Sequence, residues 1–179
     1  MDDPFPTADD LFPAREPWRD PAVLGGPWAP DPGLAAWLAC GGSLTGALRA
    51  ACPQEFGLRI HRRVTVSLPP AGADLLRLSA GSPVLQREVW LLCGGREVVF
   101  ARSWIPGQAL PDPGEQPLGD QLFEPGSDAE RLSLEAAPVS DADGATLWAR
   151  RSLHRVGAER LLVGEVFLPA MEALCPPQP

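Results

Sequence analysis

The chain has 179 residues, of which 45% are hydrophobic and 21% charged, enough for one compact domain with a buried core. Its apolar runs are shorter than the roughly 18 to 20 residues that a membrane-spanning helix needs, so the composition excludes stable membrane insertion. The formal net charge of −8 argues against nucleic acid as a partner, because affinity for phosphates requires a surplus of basic residues.

The first 30 residues form a proline-rich, acidic arm, which we expect to be loosely ordered ahead of a single domain spanning residues 31–179. Seven prolines recur in this arm with Asp and Glu between them. Such a composition buries too little apolar area to offset its ordering entropy. Its aromatic side chains are the positions that can pack along the domain surface: Phe5, Phe12, Trp18 and Trp28.

Two short helices are predicted at the start of the domain. Asp31 is suited to cap the first helix, because a proline follows it at the first helical position. A pair of glycines ends that helix, and Ser43 then caps a second one that Pro53 ends. The two segments therefore form a helical hairpin.

From Glu55 onward the hydrophobic period changes to that of β-strands. Glycines at 94–95 and at 157 are typical of the tight turns that join hairpins. Helices followed by hairpin-linked strands imply an α+β fold with a mostly antiparallel sheet. The predicted strands are a run from 55 to the prolines at 69 and 70, then 85–92, 98–105, 131–137, 147–156 and 160–169, with a short helix at 118–123 and a loop at 107–116.

Every basic residue apart from the two histidines is an arginine, and the chain has neither Lys nor Tyr. This excludes Schiff-base chemistry on a lysine, a P-loop lysine and a tyrosyl acid. The four cysteines form no C-x-x-C pair, so with only two histidines a zinc site is not expected. The acidic, proline-broken start does not resemble a secretory signal, and we expect a cytoplasmic protein with free thiols and no disulfide.

Three charged residues lie on otherwise apolar strand faces. Side chains alternate across a strand, so Arg87 shares its face with Leu85 and Val89, and Glu165 lies in a strand with no solvated face. Arg102 is a third case. By contrast, the pattern places Arg150 on a solvated strand face.

Other polar and aromatic residues fit simpler roles. The two histidines, His61 and His154, are flanked by arginine and are predicted at the surface. Arg151 is assigned to the same solvated face as its neighbour. Four tryptophans are assigned to the core: Trp37, Trp90, Trp104 and Trp148.

Two interpretations of Arg87 and Glu165 remain open on residue chemistry alone. In the structural interpretation they neutralise each other as a buried pair, or one of them lies at a solvent-facing edge of the sheet. In the functional interpretation they are the polar groups of a dry pocket. In the pocket interpretation Arg87 receives a substrate carboxylate through two parallel hydrogen bonds and Glu165 meets a hydroxyl. Hydrophobic walls would then fix a ring between them.

Five spaced segments resemble the chorismate pyruvate-lyase family in the same order along the chain, from about residue 31 to 169. A single short motif of this kind is weak evidence, whereas five in order are specific. The segments are LQREV at 85–89, ARSWIP at 101–106, PLG at 117–119 with LF at 122–123, LWARRS at 147–152, and GEVFLP at 164–169.

The resemblance implies a six-stranded antiparallel sheet with helices and loops closing over an internal ligand pocket, in a monomer that needs no cofactor or metal. It assigns the aromatic carboxylate to Arg87 and the ring hydroxyl to Glu165. Backbone contacts fall to Leu44, where the family usually has Met, and to Leu118. Asp120 and the glutamine after it replace a basic and an aromatic residue, so the resemblance is weaker in that loop.

The function implied is a lyase that converts chorismate to 4-hydroxybenzoate and pyruvate in ubiquinone biosynthesis. Chorismate carries two carboxylates, and we expect Arg102 to bind the one on the enolpyruvyl group. Two alternatives remain: a non-catalytic effector-binding domain of the same fold that senses a small aromatic acid, and a related enzyme that makes a different hydroxybenzoate or a diene diol from chorismate.

Overall fold

An antiparallel six-stranded sheet forms the centre of an α+β fold, as the sequence predicts. The computed structural model describes residues 18–25, 29–107, 109–141 and 143–177. The strands follow the order β1-β2-β3-β6-β5-β4 across the sheet. Their bounds are β1 Phe56–Ser67, β2 Pro83–Cys93, β3 Arg96–Pro106, β4 Glu130–Ser140, β5 Thr146–Val156 and β6 Glu159–Phe167.

Tight hairpins join β2 to β3 and β5 to β6, at the glycines where they are predicted. Gly94 and Gly95 have φ values of 56° and 78°, and Gly157 has a φ of 57°. These left-handed conformations favour glycine, because a Cβ atom clashes there. The two hairpins pair through β3 and β6, which places β6 at the middle of the sheet.

Four α-helices flank the sheet, and none among the described residues is long and apolar enough to span a membrane. The caps predicted for the first two helices are present: the side chain of Asp31 accepts from Leu34 N at 3.1 Å, and that of Ser43 accepts from Gly46 N at 3.1 Å. The helices are α1 Pro32–Leu38, α2 Leu44–Ala51, α3 Pro70–Leu76 and α4 Leu118–Leu122, with 3-10 turns at Pro21–Val23 and Pro169–Ala173.

The sequence pattern does not predict helix α3, because the prolines at 69 and 70 are also typical of the end of a strand. Pro70 instead occupies the first turn of α3. Backbone N–H groups in the first turn have no partner within the helix, so proline, which has no N–H group, loses no hydrogen bond there. Gly72 lets this helix lie directly on Trp104, since a Cβ atom built at Gly72 would be 2.5 Å from the indole ring. The helix covers one face of the sheet.

Apolar clusters cover both faces of the sheet. Trp90, Trp104 and helix α3 belong to the cluster on the outer face. Trp37 and helices α1 and α2 belong to the cluster on the inner face, where Trp148 packs half-buried. The assignment to the core is confirmed for Trp37, Trp90 and Trp104, whereas Trp148 packs against the core and stays half-buried.

The end of the proline-rich arm packs on the domain. Trp18 is buried, and Arg19 forms an antiparallel bridge with Ala136 of β4. Of the four aromatic anchors predicted in the arm, Trp18 is therefore in contact with the core. Phe5, Phe12 and Trp28 lie outside the described residues.

A disulfide joins Cys52 to Cys93, so the expectation of free thiols alone is wrong. Cys52 follows helix α2 and Cys93 ends β2, and the fold brings their Cα atoms to 5.7 Å although 41 positions separate them. No C-x-x-C spacing signals such a pair, because the proximity arises only from packing of α2 near the end of β2. Cys40 and Cys175 are free.

Reducing this disulfide should lower the free energy of unfolding by about 2–4 kcal/mol, because the bond restricts the unfolded chain. Urea unfolding with and without reductant measures the loss, and the variant Cys52→Ala should reproduce it. Cys40→Ala is the control and should retain the effect of reductant. Four titratable thiols in the denatured, unreduced protein would contradict the assignment.

Candidate functional site

A pocket lies between the inner face of the sheet and two covering helices, and we call it the inner pocket. Strands β2, β3, β5 and β6 form its floor, and helices α2 and α4 form its roof. Its walls include Val89, Leu91 and Leu122. The polar side chains that line it are Thr45, Arg87, Ser103, Arg131, Arg150, Ser152, His154 and Glu165.

Strand register places the polar side chains on one face of the sheet. Arg87 is paired with Ser103 of β3, and Glu165 is paired with Arg150 of β5. Two strand spacings and one two-residue step separate Arg87 from Glu165, which corresponds to about 12 Å between their Cα atoms. The inner pocket therefore brings the two residues singled out from the sequence to opposite sides of one space.

Arg87 is a buried cation with only 2% of its surface exposed. Its Nη2 donates to the carbonyl oxygens of Gly114 at 3.2 Å and Gln116 at 2.7 Å, and its Nε has no hydrogen-bond partner among the described residues. Burial, together with the nearby Arg63, lowers the pKa of Arg87 to about 10, so the group stays charged at neutral pH. No carboxylate within the described part of the chain forms an ion pair with it.

Glu165 is paired with Arg150 rather than with Arg87. The Nε of Arg150 donates to Oε2 of Glu165 at 2.6 Å, and Nη1 of Arg150 donates to the carbonyl oxygen of Cys40 at 3.1 Å. Arg150 is 2% exposed, which overturns its assignment to a solvated face. The structural pair between Arg87 and Glu165 that the sequence left open is thus not formed.

Arg131 lies at the end of the inner pocket next to Arg150, and no pattern in the sequence indicates it as a site residue. Its Nη1 and Nη2 donate to the carbonyl oxygens of Gly41 at 2.8 Å and Gly42 at 3.1 Å. Its guanidinium carbon lies 5.0 Å from the ring centre of Phe123. Burial is the main cause that lowers the pKa of Arg131, with repulsion from Arg150 adding to it.

His154 lies buried on the pocket floor, so its predicted surface position is wrong, whereas His61 is exposed as predicted. Its Nε2 lies 3.0 Å from Oγ of Ser152, and its ring meets Phe123 edge to face with centres 5.9 Å apart. Burial, followed by the charges of Arg131 and Arg150, lowers the pKa of His154 to about 4. The imidazole is therefore neutral at physiological pH.

The depressed pKa of His154 predicts acid-sensitive stability. The imidazole of His154 takes up a proton near pH 6.5 in the unfolded chain but only near pH 4 in the folded chain. Between these values the unfolded state binds more protons, so this group should lower the free energy of unfolding by about 3 kcal/mol as the pH falls. Urea unfolding at pH 7 and pH 4.5 measures the effect, which His154→Gln should remove.

The exposed His61 supplies the control, because His61→Gln should leave the same pH dependence as in the parent chain. A His154→Gln variant with an unchanged pH dependence would show that the imidazole is not buried in the neutral form.

The roof of the inner pocket is formed by helices α2 and α4, which lie against each other. Leu44 and Leu118, to which the resemblance assigns backbone contacts with the ligand, both line the pocket from the roof. Gly119 permits the close approach, since a Cβ atom there would lie 3.0 Å from Oγ1 of Thr45. Arg49 of α2 and Asp120 of α4 form two parallel hydrogen bonds of 2.7 and 2.8 Å.

Arg102 lies on the outer face of the sheet, so its predicted contact with a substrate in the inner pocket is wrong. Strand alternation places it opposite Glu88, and its Nε donates to Oε1 of Glu88 at 2.6 Å. Gln86 donates to the same carboxylate oxygen at 2.8 Å and accepts from the indole of Trp104 at 3.0 Å. Arg102 thus belongs to a buried network beneath α3.

Arg151, assigned with Arg150 to a solvated face, is buried on the outer face of the sheet. Its Nε donates to Oε2 of Glu135 at 2.8 Å, and its guanidinium carbon lies 4.6 Å from the ring centre of Trp18.

The ionised groups of the inner pocket leave an excess of positive charge. Three arginines, Arg87, Arg131 and Arg150, line it together with one carboxylate, Glu165, while His154 is neutral. The described lining therefore carries two positive charges more than negative ones. Because charges in a desolvated site must be balanced, this lining suits a ligand with two anionic groups.

No group of three or more His, Cys, Asp or Glu side chains is placed to hold a metal ion within the described ranges.

Sequence comparison shows what the chain resembles. Residues 17–173 match the family described as chorismate lyase. A protein of Methylococcus capsulatus named probable chorismate pyruvate-lyase is 35% identical over 156 residues, covering 77% of this chain and 96% of that protein. A protein of the same name from Azoarcus sp. is 38% identical over 169 residues, covering 79% and 86%.

Solved structures share the fold at low sequence identity. PhnF from Mycobacterium smegmatis has a TM-score of 0.56 and 18% identity, covering 73% of this chain and 65% of that one. The putative transcriptional regulator from Streptomyces coelicolor has a TM-score of 0.53 and 14% identity, covering 68% and 92%. At such low identities the likeness shows only a shared fold, that is, the same arrangement of the sheet and helices.

Proposed function

The chain belongs to the chorismate lyase family, and from this premise we propose that it converts chorismate into 4-hydroxybenzoate and pyruvate. The observation that carries the proposal is the inner pocket with its excess of two positive charges. Chorismate has a ring carboxylate and an enolpyruvyl carboxylate, so its charge complements that lining. The reaction is the first committed step of ubiquinone biosynthesis, and the proposal places the chain there.

Arg87 is proposed to bind the ring carboxylate. It is buried, charged and free of any carboxylate partner among the described residues, and its Nε has no hydrogen-bond partner there either. A planar guanidinium matches the geometry of a carboxylate. The carbonyl oxygens of Gly114 and Gln116 hold the guanidinium in place while leaving it without an anion.

Glu165 is proposed to orient the 4-hydroxyl group of the ring. One oxygen of its carboxylate is fixed by Arg150, so the other can accept a hydrogen bond from the substrate. The ring would then lie between Arg87 and Glu165, below the backbone of Leu44 and Leu118 in the roof. Because the contacts assigned to the roof are made by the main chain, leucine in place of the family's usual methionine preserves them.

The chemistry requires positioning rather than a strong acid. As the C3–O ether bond breaks, the hydrogen at C4 moves to the methylene carbon of the enolpyruvyl group, which becomes the methyl group of pyruvate. The ether oxygen becomes the ketone oxygen of pyruvate, and the ring becomes aromatic. Holding the side chain over the ring supplies most of what the protein must do.

The proposal includes a monomeric, cytoplasmic enzyme that acts without a cofactor or metal, with a small molecule as its only required partner. An effector-binding domain of the same fold and a related chorismate-processing enzyme are the alternatives. The shared fold of the regulators does not favour either, because a common fold supports different functions.

Product analysis tests the proposal. The purified chain is incubated with chorismate, and 4-hydroxybenzoate is followed by chromatography alongside pyruvate in a coupled assay. Equal amounts of both products are expected. Pyruvate with a different aromatic product would instead support the related chorismate-processing enzyme. Tight binding of 4-hydroxybenzoate without turnover would support the effector-binding domain.

Arg102 should be dispensable for this reaction, in contrast to its role expected from the sequence. Arg102→Met should leave kcat/KM for chorismate within about threefold of the parent chain, yet lower the free energy of unfolding by about 3–5 kcal/mol by leaving Glu88 unpaired. Steady-state kinetics and urea unfolding measure the two effects. Adding Glu88→Leu should recover part of the stability, because it removes the uncompensated charge.

A loss of activity in Arg102→Met that persists in the more stable double variant would contradict the placement of Arg102 outside the site.

A further inference from the structure

We propose that Arg131 and His154 form the subsite that binds the enolpyruvyl carboxylate of chorismate. The inference rests on the proposed function and assigns the second anion of the same substrate. Arg102 is on the wrong face of the sheet for that role, and Arg87 is assigned to the ring carboxylate. The two residues line the end of the inner pocket farthest from Arg87.

Strand register sets the order of groups along the pocket. Arg131 of β4 is paired with His154 of β5. Three strand spacings, about 14 Å, separate β2 with Arg87 from β5 with His154. Glu165 lies on β6, between these two strands. His154 is paired with Leu161, four residues from Glu165 along β6. The guanidinium of Arg131 nevertheless lies beside that of Arg150, which holds Glu165, since both donate to the carbonyl oxygen of Cys40, at 3.5 and 3.1 Å. The ring hydroxyl and the enolpyruvyl ether are on neighbouring carbons of chorismate, so a carboxylate-binding group at Arg131 fits the ether side chain.

Arg131 offers charge and a buried donor at this end. Its terminal nitrogens are held by carbonyl oxygens of the loop between α1 and α2. Its Nε is buried and has no hydrogen-bond partner among the described residues. A buried donor without a partner costs free energy until a ligand accepts from it. A carboxylate is the acceptor that also balances the charge.

Arg150 is less suited to this role, because the carboxylate of Glu165 already neutralises it. Its Nε is engaged with Glu165, and its Nη1 donates to the carbonyl oxygens of Trp37 at 3.4 Å and Cys40 at 3.1 Å. Arg150 therefore positions Glu165, and Arg131 holds the second unbalanced charge of the pocket.

His154 adds a neutral donor beside Arg131. Its Nε2 lies 3.0 Å from the hydroxyl oxygen of Ser152. The proposal places the proton on Nδ1, so that Nε2 accepts from this hydroxyl and Nδ1–H donates to the ligand. The imidazole and the ring of Phe123 meet edge to face, and the Phe123 ring also lies against the Arg131 guanidinium. Phe123 thereby fixes both side chains at the pocket end from the roof.

Changes in this subsite should weaken the reaction of chorismate without weakening the binding of 4-hydroxybenzoate. 4-Hydroxybenzoate has no enolpyruvyl group, so it does not use Arg131 or His154. Arg131→Gln and His154→Leu should each lower kcat/KM for chorismate, by about tenfold to hundredfold for the arginine and by about threefold to tenfold for the histidine. The dissociation constant of 4-hydroxybenzoate should change less than threefold in both.

Steady-state kinetics and calorimetric titration with 4-hydroxybenzoate measure the two quantities on each full-length variant. Arg155→Gln is the matched control, since Arg155 is on the same strand as His154 but forms an exposed pair with Glu130. It should change neither quantity. Retained affinity for 4-hydroxybenzoate also shows that a variant is folded around its pocket.

Unchanged kcat/KM in both variants would overturn the subsite, and so would an equal loss of chorismate turnover and 4-hydroxybenzoate affinity, which indicates a role in folding. If the parent chain itself does not turn over chorismate, the proposed lyase function fails. Equilibrium titration with chorismate then tests the subsite separately, with weaker chorismate binding in the two variants expected.

Discussion

Arg87→Met is expected to lower kcat/KM for chorismate about tenfold to hundredfold, and the affinity for 4-hydroxybenzoate by a similar factor. The physical reason is the loss of a charge-assisted, two-point hydrogen bond to the ring carboxylate, worth about 1.5–3 kcal/mol. Methionine keeps most of the apolar volume of the side chain, so the change mainly removes charge and donors. Steady-state kinetics and calorimetric titration measure both effects.

The stability of this variant distinguishes a binding role from a structural one. Arg87 has no carboxylate partner among the described residues, and burial together with Arg63 disfavours its charged form. Its removal should therefore leave the free energy of unfolding unchanged or raise it. Phenol, which lacks the carboxylate, should bind the variant as it binds the parent chain.

Arg59→Met is the control for Arg87→Met, because Arg59 is exposed and paired with Glu97. It should affect neither activity nor ligand binding. Near-normal turnover by Arg87→Met would contradict the assignment of the ring carboxylate to this residue.

Glu165→Gln is expected to reduce both activity and stability. The substitution leaves Arg150, which is 2% exposed, without its counterion. Breaking a buried pair in this way lowers the free energy of unfolding by about 3–5 kcal/mol. Turnover should fall at least tenfold, because the neutral amide cannot provide the charge-assisted acceptor that the 4-hydroxyl group needs.

A double variant separates the two effects. Adding Arg150→Met to Glu165→Gln removes the uncompensated charge and should recover part of the lost stability in urea unfolding. Turnover of chorismate should remain low in the double variant, since the hydroxyl contact is still missing. Recovery of turnover together with stability would mean that Glu165 acts only as a counterion for Arg150.

Much of the fold was predictable because helix caps and hairpin turns depend on residues that are close together in the sequence. Asp31 and Ser43 cap their helices as predicted, and the hairpin glycines at 94, 95 and 157 adopt the positive φ values that the turns require. Helix α3 was missed because a pair of prolines is compatible both with the end of a strand and with the start of a helix, and here it does both. The pair Cys52 and Cys93 was missed because only tertiary packing brings the two cysteines together.

The candidate site was predictable in part. Arg87 and Glu165 are conspicuous as charges on apolar strand faces, and the resemblance added Leu44 and Leu118; all four line one pocket. The sequence did not indicate His154, because β5 is a polar strand with arginines on both faces.

Sequence alternation alone could not place Arg102 and Arg150. Strand β5 lies inside a sheet covered on both sides, so alternation there does not separate core from solvent. Only the pairing of Arg150 with Glu165 and of Arg102 with Glu88 shows which arginine faces the pocket.

A crystal structure of the chain bound to 4-hydroxybenzoate would show which residues hold the ligand. We expect the carboxylate of the ligand on the guanidinium of Arg87 and its hydroxyl group within hydrogen-bond distance of Glu165, with the space beside Arg131 and His154 left for the departed pyruvate. A ligand with its carboxylate on Arg131, or bound outside the inner pocket, would contradict the proposed roles of Arg87 and Glu165.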